Sequence, residues 1–249
     1  MGEVGSGLEC GARLSRCLSS CPKTTRKFIP PSTAACNAAT ANLQEIIVKA
    51  IVIGSGTIGS AVKKALEENG HKVVSIGRKS GDFQADISNP ESLKALFTSI
   101  GPFDAVANAA GDVFPGPFEQ TTDEQWANSI KSKGMGQINL VRTALPFIAD
   151  KGSFTLISGV LTDEYMHGGT IGTTINHLVE GFVKASAVEL PRGVRINCIS
   201  PTVLTESVAY HAYFTGFTPV PAAEVALAYL RAISTPITGR ILKLHKTDS

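Results

Sequence analysis

Short apolar runs alternate along the chain with longer segments in which apolar residues recur every three or four positions. The short runs predict strands at 46–53, 71–76, 82–87, 103–111, 153–158, 194–200 and 239–244. The longer segments predict helices at 59–69, 90–100, 123–149 and 221–234, and one more between His167 and the strand at 194–200. Because continuous apolar strands alternate with helices, they indicate a parallel sheet covered on both faces. We therefore predict an α/β fold, a three-layer, doubly wound parallel sheet (Rossmann fold), in a single domain at 45–249.

The first 44 residues lack this periodicity. They are rich in serine, threonine, alanine and cysteine, and they hold five basic residues against two acidic ones. A basic, hydroxyl-rich and acid-poor composition is typical of an organelle transit peptide, and an unstructured tail is the alternative. We predict a disordered leader at 1–44. The predicted location is the cytoplasm, or a plastid or another organelle if the leader is a transit peptide.

Charge, hydropathy and cysteine spacing argue against several classes of function. The formal net charge is only +2 and no basic patch stands out, so nucleic-acid binding is not expected. No apolar run reaches the ~18 residues that a membrane-spanning helix needs. Four of the five cysteines lie in the leader without paired C-x-x-C spacing, so we predict no bound metal. The expected partner is a small molecule.

The segment VIGSGTIGSAV at 52–62 joins the first predicted strand to the first predicted helix. Gly54 allows a tight turn, Gly56 lets the backbone approach a pyrophosphate, and Gly59 lets the helix pack closely on the strand. The free N–H groups at the helix start can then bind phosphate oxygens. A tight turn without a ligand is the alternative. We predict a dinucleotide cofactor bound by Gly54, Ser55, Gly56, Thr57, Ile58 and Gly59.

The residues after the second strand favour NADP(H) over NAD(H). An NAD-binding chain commonly has Asp or Glu here, which bonds to the ribose 2′-hydroxyl. This chain has Arg78, Lys79 and Ser80, whose positive charges suit a 2′-phosphate. A solvated basic loop is the alternative, and Asp82 lies close enough in sequence to weaken the preference slightly.

Further motifs follow in order: Asp86-Ile87, Asn108-Ala109-Ala110-Gly111, Ser158, Glu180-Gly181-Phe182, Arg195-Ile196-Asn197 and Ser200-Pro201. With the glycine-rich turn, they resemble the short-chain dehydrogenase/reductase family across nearly all of 46–249. The resemblance implies that Asp86 bonds the adenine amino group and that Ile87 packs on the adenine ring. It implies that the wall beside the ribose is formed by Asn108, Ala109, Ala110 and Gly111. It also implies that the nicotinamide is contacted by Pro201, Thr202 and Val203. It also implies a homo-oligomer, a dimer or a tetramer.

The same resemblance indicates a compact branch of the family with a degenerate active site. The family uses an Asn, a Ser and a Tyr-x-x-x-Lys pair. Alignment on Glu180 puts Gly172 at the tyrosine position and Asn176 at the lysine position, and alignment on the preceding helix puts Lys133 at the asparagine position. Only Ser158 is retained. We predict that Ser158 bonds the substrate carbonyl and that the Lys133 ammonium stabilises charge on its oxygen.

Two functional hypotheses remain. In the first, the protein is an NADP(H)-dependent oxidoreductase that reduces the carbonyl of a small apolar ketone or aldehyde through an atypical proton relay. In the second, it is a catalytically weak or inactive NADP(H)-binding sensor or scaffold. Tyr165 and His167, on a predicted cleft loop, are the alternative catalytic residues. The segment 214–224, with Phe214 and Phe217, is predicted to form a lid over an apolar pocket.

Overall fold

A sheet of seven strands forms the centre of the domain that residues 47–245 describe. The computed structural model describes residues 47–245, so the predictions for the leader at 1–44 lie outside the described residues. The strands are β1 (Lys49–Ile53), β2 (Lys72–Gly77), β3 (Phe83–Gln84), β4 (Phe103–Asn108), β5 (Ile148–Ile157), β6 (Arg195–Pro201) and β7 (Ile241–Leu244). Their order is β3-β2-β1-β4-β5-β6-β7, and every neighbouring pair is parallel. The predicted doubly wound Rossmann fold is confirmed.

Helices cover both faces of the sheet. They are α1 (Thr57–Glu68), α2 (Pro90–Ile100), α3 (Asp123–Ser129), α4 (Gly136–Ala144), α5 (Thr170–Ser186) and α6 (Ala222–Ser234). A π-helical turn, Ile130–Met135, joins α3 to α4, and short 3-10 turns lie at Phe118–Gln120, Val160–Thr162 and Val208–Tyr213. None of the helices within 47–245 is long and apolar enough to cross a membrane.

The hydrophobic core is divided by the sheet into two clusters. In β1, Ile51 and Ile53 belong to one cluster, together with side chains of α2, α4 and α5. Ala50 and Val52 belong to the other cluster, together with side chains of α1 and α6. Successive side chains of a strand point to opposite faces. Because both faces of β1 are buried from Ala50 to Ile53, these four residues are all apolar rather than alternating.

The predicted helix at 123–149 differs most from the structure. The π-helical turn interrupts it, α4 ends at Ala144, and β5 begins at Ile148 rather than at 153. Just after the interruption, α4 is bonded to β5: the amide of buried Gln137 bonds to both the N–H and the C=O of Ile157 at 2.9 Å. A π-helical turn shifts the phase of the side chains. Apolar periodicity alone does not reveal such a shift.

The topology explains why the sequence motifs meet. β1 and β4 are neighbours in the sheet, and the chain winds outward in both directions from this pair. In open α/β sheets, ligands bind beside the carboxyl ends of the strands at such a switch point. The motif segments 54–59, 78–80, 86–87, 108–111 and 201–203 all lie at or just after the carboxyl ends of strands.

Candidate active site

A cleft of about 420 Å³ lies beside the carboxyl ends of β4, β5 and β6. Apolar side chains, among them Val160, Leu161, Met166 and Phe214, line much of its wall. The wall also includes residues that the sequence predicts for the cofactor or for catalysis: Ile58, Ala109, Gly111, Lys133, Ser158, Pro201, Thr202 and Val203. The fold therefore brings the two predicted catalytic residues to one site.

The glycine-rich turn is closely packed at Gly54 and Gly59 and open at Gly56. Gly54 has a φ of +108°, which favours glycine, and a Cβ at Gly59 would lie 1.7 Å from the Gly54 carbonyl oxygen. By contrast, a Cβ at Gly56 would meet no atom within 4 Å. Gly56 is the N-cap of α1 and has no side chain to cap it. Because no side chain caps α1 and the space around a Gly56 Cβ is empty, the first N–H groups of the helix are available to phosphate oxygens.

Two buried polar atoms of residues on the cleft wall, Thr202 Oγ1 and Asn176 Oδ1, have no hydrogen-bond partner among the described residues. Leaving such an atom unpaired costs about 1–3 kcal/mol. A ligand with amide or hydroxyl donors can satisfy both atoms. Together with the open turn at Gly56, these atoms fit a nicotinamide dinucleotide. Among residues 47–245, no group of His, Cys, Asp and Glu side chains is arranged to hold a metal ion.

Arg78 lines a second cavity of about 460 Å³, together with Asp86, Asp112 and Lys131. Arg78 Nη2 donates to Asp112 Oδ2 at 2.8 Å, and both side chains are largely exposed. An exposed ion pair contributes only about 0–1 kcal/mol, so a phosphate can displace the Asp112 carboxylate. Lys79 and Ser80 are exposed beside Arg78 in sequence and are not part of the wall of this cavity.

Asp82, close in sequence to Arg78, bonds to β2. Its Oδ2 accepts hydrogen bonds from the backbone N–H and from the hydroxyl of Ser75, both at 2.8 Å. These bonds, the backbone one first, hold the pKa of Asp82 below its usual range. One oxygen of this carboxylate is therefore occupied by Ser75.

Two residues that the sequence predicts for cofactor binding, Asn108 and Ile87, are buried beneath the surface of the predicted cofactor site. Asn108 is fully buried, and its Nδ2 donates to the carbonyl oxygen of Ala110 and to Oε1 of Gln137, both at 2.9 Å. Ile87 is 6% exposed and belongs to the core, where a Cβ at Gly136 would lie 3.0 Å from its Cγ1. Burial therefore leaves only a small part of the Ile87 side chain accessible, which is less surface than packing on an adenine ring would use.

Lys133 reaches the cleft from the π-helical turn. Its stem passes close to Gly111, where a Cβ would lie 2.9 Å from Lys133 Cγ. Lys133 Nζ donates to the carbonyl oxygen of Ser158 at 2.9 Å. Desolvation lowers the pKa of Lys133 to about 8, although Cys198 and Glu180 oppose the shift. An amine whose pKa lies this close to neutrality can transfer a proton to a bound ligand.

The Ser158 hydroxyl bonds to a carboxylate behind the cleft. Ser158 Oγ donates to Glu180 Oε1 at 2.7 Å, and Thr162 Oγ1 donates to the same oxygen at 3.1 Å. Glu180 is only 6% exposed. A serine has a single hydroxyl hydrogen, and Ser158 donates it in the hydrogen bond to Glu180. Ser158 therefore offers lone pairs to the cleft, in contrast to the prediction that it donates to the substrate carbonyl.

Gly172 and Asn176 both line the cleft from α5. A Cβ at Gly172 would lie 3.1 Å from Leu161 Cδ1, so Leu161 occupies part of the volume that a larger side chain would need. Glycine has no side chain, and the amide of Asn176 does not titrate near neutrality. Neither residue can supply a proton.

The loop at 162–169 contributes less than the sequence suggests. Tyr165 and His167 are exposed and do not line the cleft. Sequence reasoning missed Tyr210, which lines the cleft from the 3-10 turn just before the predicted lid. Of that lid, Phe214 lines the cleft, and Phe217 packs edge-on against Phe214 with ring centroids 5.3 Å apart. The aromatic residues that immediately precede 214–224 could have extended the lid prediction to Tyr210.

Comparison with known proteins identifies the family. A family model described as enoyl-(acyl carrier protein) reductase matches residues 53–237. L-xylulose reductase from Bos taurus is 25% identical over 183 residues, which cover 66% of this chain and 75% of that protein. The chain belongs to the short-chain dehydrogenase/reductase family of oxidoreductases, whose members bind a nicotinamide cofactor.

Two solved structures extend the comparison. The protein lin1944 from Listeria innocua is 41% identical, with a TM-score of 0.78 over 80% of this chain and 100% of that chain. A small-chain dehydrogenase in complex with NADPH is 25% identical, with a TM-score of 0.72 over 80% of this chain and 97% of that chain.

Proposed function

We propose that this protein is an NADP(H)-dependent oxidoreductase that reduces the carbonyl of a small apolar ketone or aldehyde, with Lys133 as the proton donor instead of the family's tyrosine. One observation carries the proposal. Lys133 lines an otherwise largely apolar cleft, its Nζ is bonded to the Ser158 carbonyl oxygen, and its pKa is lowered to about 8. Among the described residues that line this cleft, Tyr210 is the other titratable side chain, and it lies on the lid side of the wall.

The preference for NADP(H) is supported by charge. Arg78 is held only by an exposed pair with Asp112, and Asp82 is occupied by Ser75. A 2′-phosphate can therefore replace the Asp112 carboxylate and bond to the guanidinium in bidentate fashion. The NADPH complex of a related dehydrogenase agrees with this choice. The turn at 54–59 would hold the phosphates, and a bound nicotinamide would supply the hydride.

The chain's own contribution to the reaction is a proton. Hydride addition to the carbonyl carbon leaves negative charge on the oxygen, which the Lys133 ammonium stabilises. The ammonium then gives one proton to that oxygen, an alcohol forms, and the neutral amine regains a proton from solvent. A positioned general acid contributes roughly 100- to 10,000-fold to the rate.

The cleft suggests the size and polarity of the substrate. Its volume of about 420 Å³ is small, and Val160, Leu161 and Phe214 make its wall apolar. We therefore expect ketones and aldehydes with short apolar substituents to react faster than charged or polyhydroxylated ones.

The test is NADPH oxidation with a panel of such carbonyl compounds, in the unmodified protein and in the variant Lys133→Met. The variant keeps the length of the stem and removes the charge, so turnover should fall at least tenfold. Calorimetric binding of NADPH, which does not depend on turnover, is the control for a folded cofactor site. Full turnover in Lys133→Met would remove Lys133 from the mechanism and make Tyr210 the next candidate.

The alternative, a sensor or scaffold that binds NADP(H) without turnover, also has an observation in its favour. Gly172 and Asn176 provide no acid, and Leu161 occupies space beside Gly172. This hypothesis predicts NADPH binding with no oxidation above background for any carbonyl of the panel.

Quaternary structure and location are proposals based on the resemblance and on the leader. We propose a homo-oligomer, a dimer or a tetramer, which light scattering of the purified protein can test. The single domain at 45–249 would lie in the cytoplasm unless the segment 1–44 directs it to a plastid or another organelle. Fluorescent fusions with and without residues 1–44 distinguish the two locations.

A further inference from the structure

We propose that Glu180 is a positioning residue, which holds the Ser158 hydroxyl away from the substrate and keeps Lys133 protonated in the cleft. This inference rests on the proposed function, because it assigns a purpose to the proton on Lys133. Glu180 is not part of the cleft wall, so it acts through the residues that are.

Hydrogen bonds join Glu180 to residues beside the cleft. Glu180 lies on α5, four residues after Asn176 and eight after Gly172, so all three share one face of the helix. Its Oε1 accepts from the hydroxyls of Ser158 and Thr162. Ser158 Oγ also lies 3.5 Å from the carbonyl oxygen of Ile199, but the 2.7 Å bond to a carboxylate is much the stronger of the two.

The consequence concerns what Ser158 can bind. With its hydrogen committed to Glu180, Ser158 can only accept a hydrogen bond from a ligand. It therefore suits a hydroxyl group, such as that of the alcohol product, better than a carbonyl oxygen. The carbonyl oxygen is left to Lys133, whose ammonium has three donors and uses one on the Ser158 carbonyl oxygen.

Glu180 also acts on Lys133 through its charge. Desolvation by the cleft wall lowers the pKa of Lys133, and two neighbours oppose it: Cys198 of β6 and Glu180 of α5. Burial raises the pKa of the Cys198 thiol to about 12, so Cys198 is neutral at physiological pH. Lys133 and Glu180 bond to the same residue, Lys133 to the carbonyl oxygen of Ser158 and Glu180 to its hydroxyl, so the Glu180 carboxylate lies near the ammonium and favours its charged form.

The experiment measures the titration of Lys133 without any substrate. The protein is labelled with acetic anhydride between pH 6 and 11, and the modification of Lys133 is followed by mass spectrometry of its peptide. In Glu180→Gln the amide oxygen still accepts from Ser158, but the charge is gone. The midpoint of Lys133 labelling should fall by roughly one pH unit, the size of shift that a neighbouring charge produces.

Glu189→Gln is the matched control, since it removes the same charge from an exposed position just beyond α5, where solvent screens it. Its Lys133 midpoint should equal that of the unmodified protein. If Glu180→Gln folds poorly, Glu180→Asp keeps the charge but withdraws it by one methylene group, and the midpoint should fall by less than one unit. An unchanged midpoint in the folded Glu180 variant would overturn the inference.

The labelling result is independent of turnover. If the midpoint shifts but no carbonyl compound is reduced, the inference about Glu180 stands and the proposed function fails. If the protein is active, the basic limb of its pH–rate profile should move to lower pH in Glu180→Gln in parallel with the labelling midpoint. A basic limb that stays in place while the labelling midpoint moves would show that Lys133 is not the proton donor.

Discussion

Lys133 carries a charge that the surrounding protein disfavours. Its pKa falls from 10.5 to about 8 because desolvation outweighs the attraction of its neighbours. The unfolded chain keeps this proton up to about pH 10.5, whereas the folded protein releases it near pH 8. Between these values the unfolded state binds more protons, so the contribution of Lys133 to the free energy of unfolding rises with pH. Replacement of Lys133 by Met should therefore not destabilise the fold at neutral pH.

The predicted preference for NADPH depends on one residue, Arg78. Arg78→Ala should weaken NADPH binding by about 1–3 kcal/mol, the value of a charge-assisted hydrogen bond. NADH lacks the 2′-phosphate, so its affinity should change little. Isothermal calorimetry with both cofactors makes the measurement. Equal affinities of the unmodified protein for NADPH and NADH would refute the preference.

At the scale of elements, different glycines of the turn between β1 and α1 are predicted to serve packing and cofactor binding. Gly56 has a φ of −79°, which alanine adopts without strain, and a Cβ there meets only open space. Gly56→Ala should therefore leave the melting temperature unchanged but fill the space before the helix N-terminus. NADPH affinity should fall at least roughly tenfold, which corresponds to about 1.4 kcal/mol.

Two further glycine substitutions serve as controls. Gly59→Ala forces a Cβ onto the Gly54 carbonyl oxygen, so the melting temperature itself should drop. Gly181→Ala adds a methyl group to an exposed, uncrowded position inside α5, where alanine is favoured over glycine by about 1 kcal/mol. It should stabilise the fold and leave NADPH binding unchanged. Normal NADPH binding by Gly56→Ala would mean that no phosphate lies against this turn.

The elements differ in how well the sequence alone predicts them. The central strands were predictable because both faces of the sheet are buried there, so that runs such as 50–53 and 105–107 are continuously apolar. The π-helical turn that carries Lys133 was not, since helical periodicity continues on both sides of it. Nor was the bond from Ser158 to Glu180, which joins residues 22 positions apart and depends on how α5 packs on β5. In the sequence, Glu180 serves only as an alignment marker for the family.

At the scale of the whole molecule, the leader provides a separate prediction. Residues 1–44 lack a periodic apolar face, so they have no sequence basis for joining the core of the Rossmann domain. A protein that begins at residue 45 should have nearly the same melting temperature as the full chain and the same affinity for NADPH. A fall of many degrees by scanning calorimetry would show that the first 44 residues stabilise the domain.

The pH dependence of kcat/KM for carbonyl reduction by NADPH, in the unmodified protein and in Lys133→Met, tests the role of Lys133 most directly. Lys133 must be protonated to act as the acid, so kcat/KM should fall above about pH 8, by about tenfold for each further pH unit. Lys133→Met should be at least tenfold slower at pH 7 and should lack this basic limb. A variant with unchanged rates and the same basic limb would contradict the assignment of Lys133 as the proton donor.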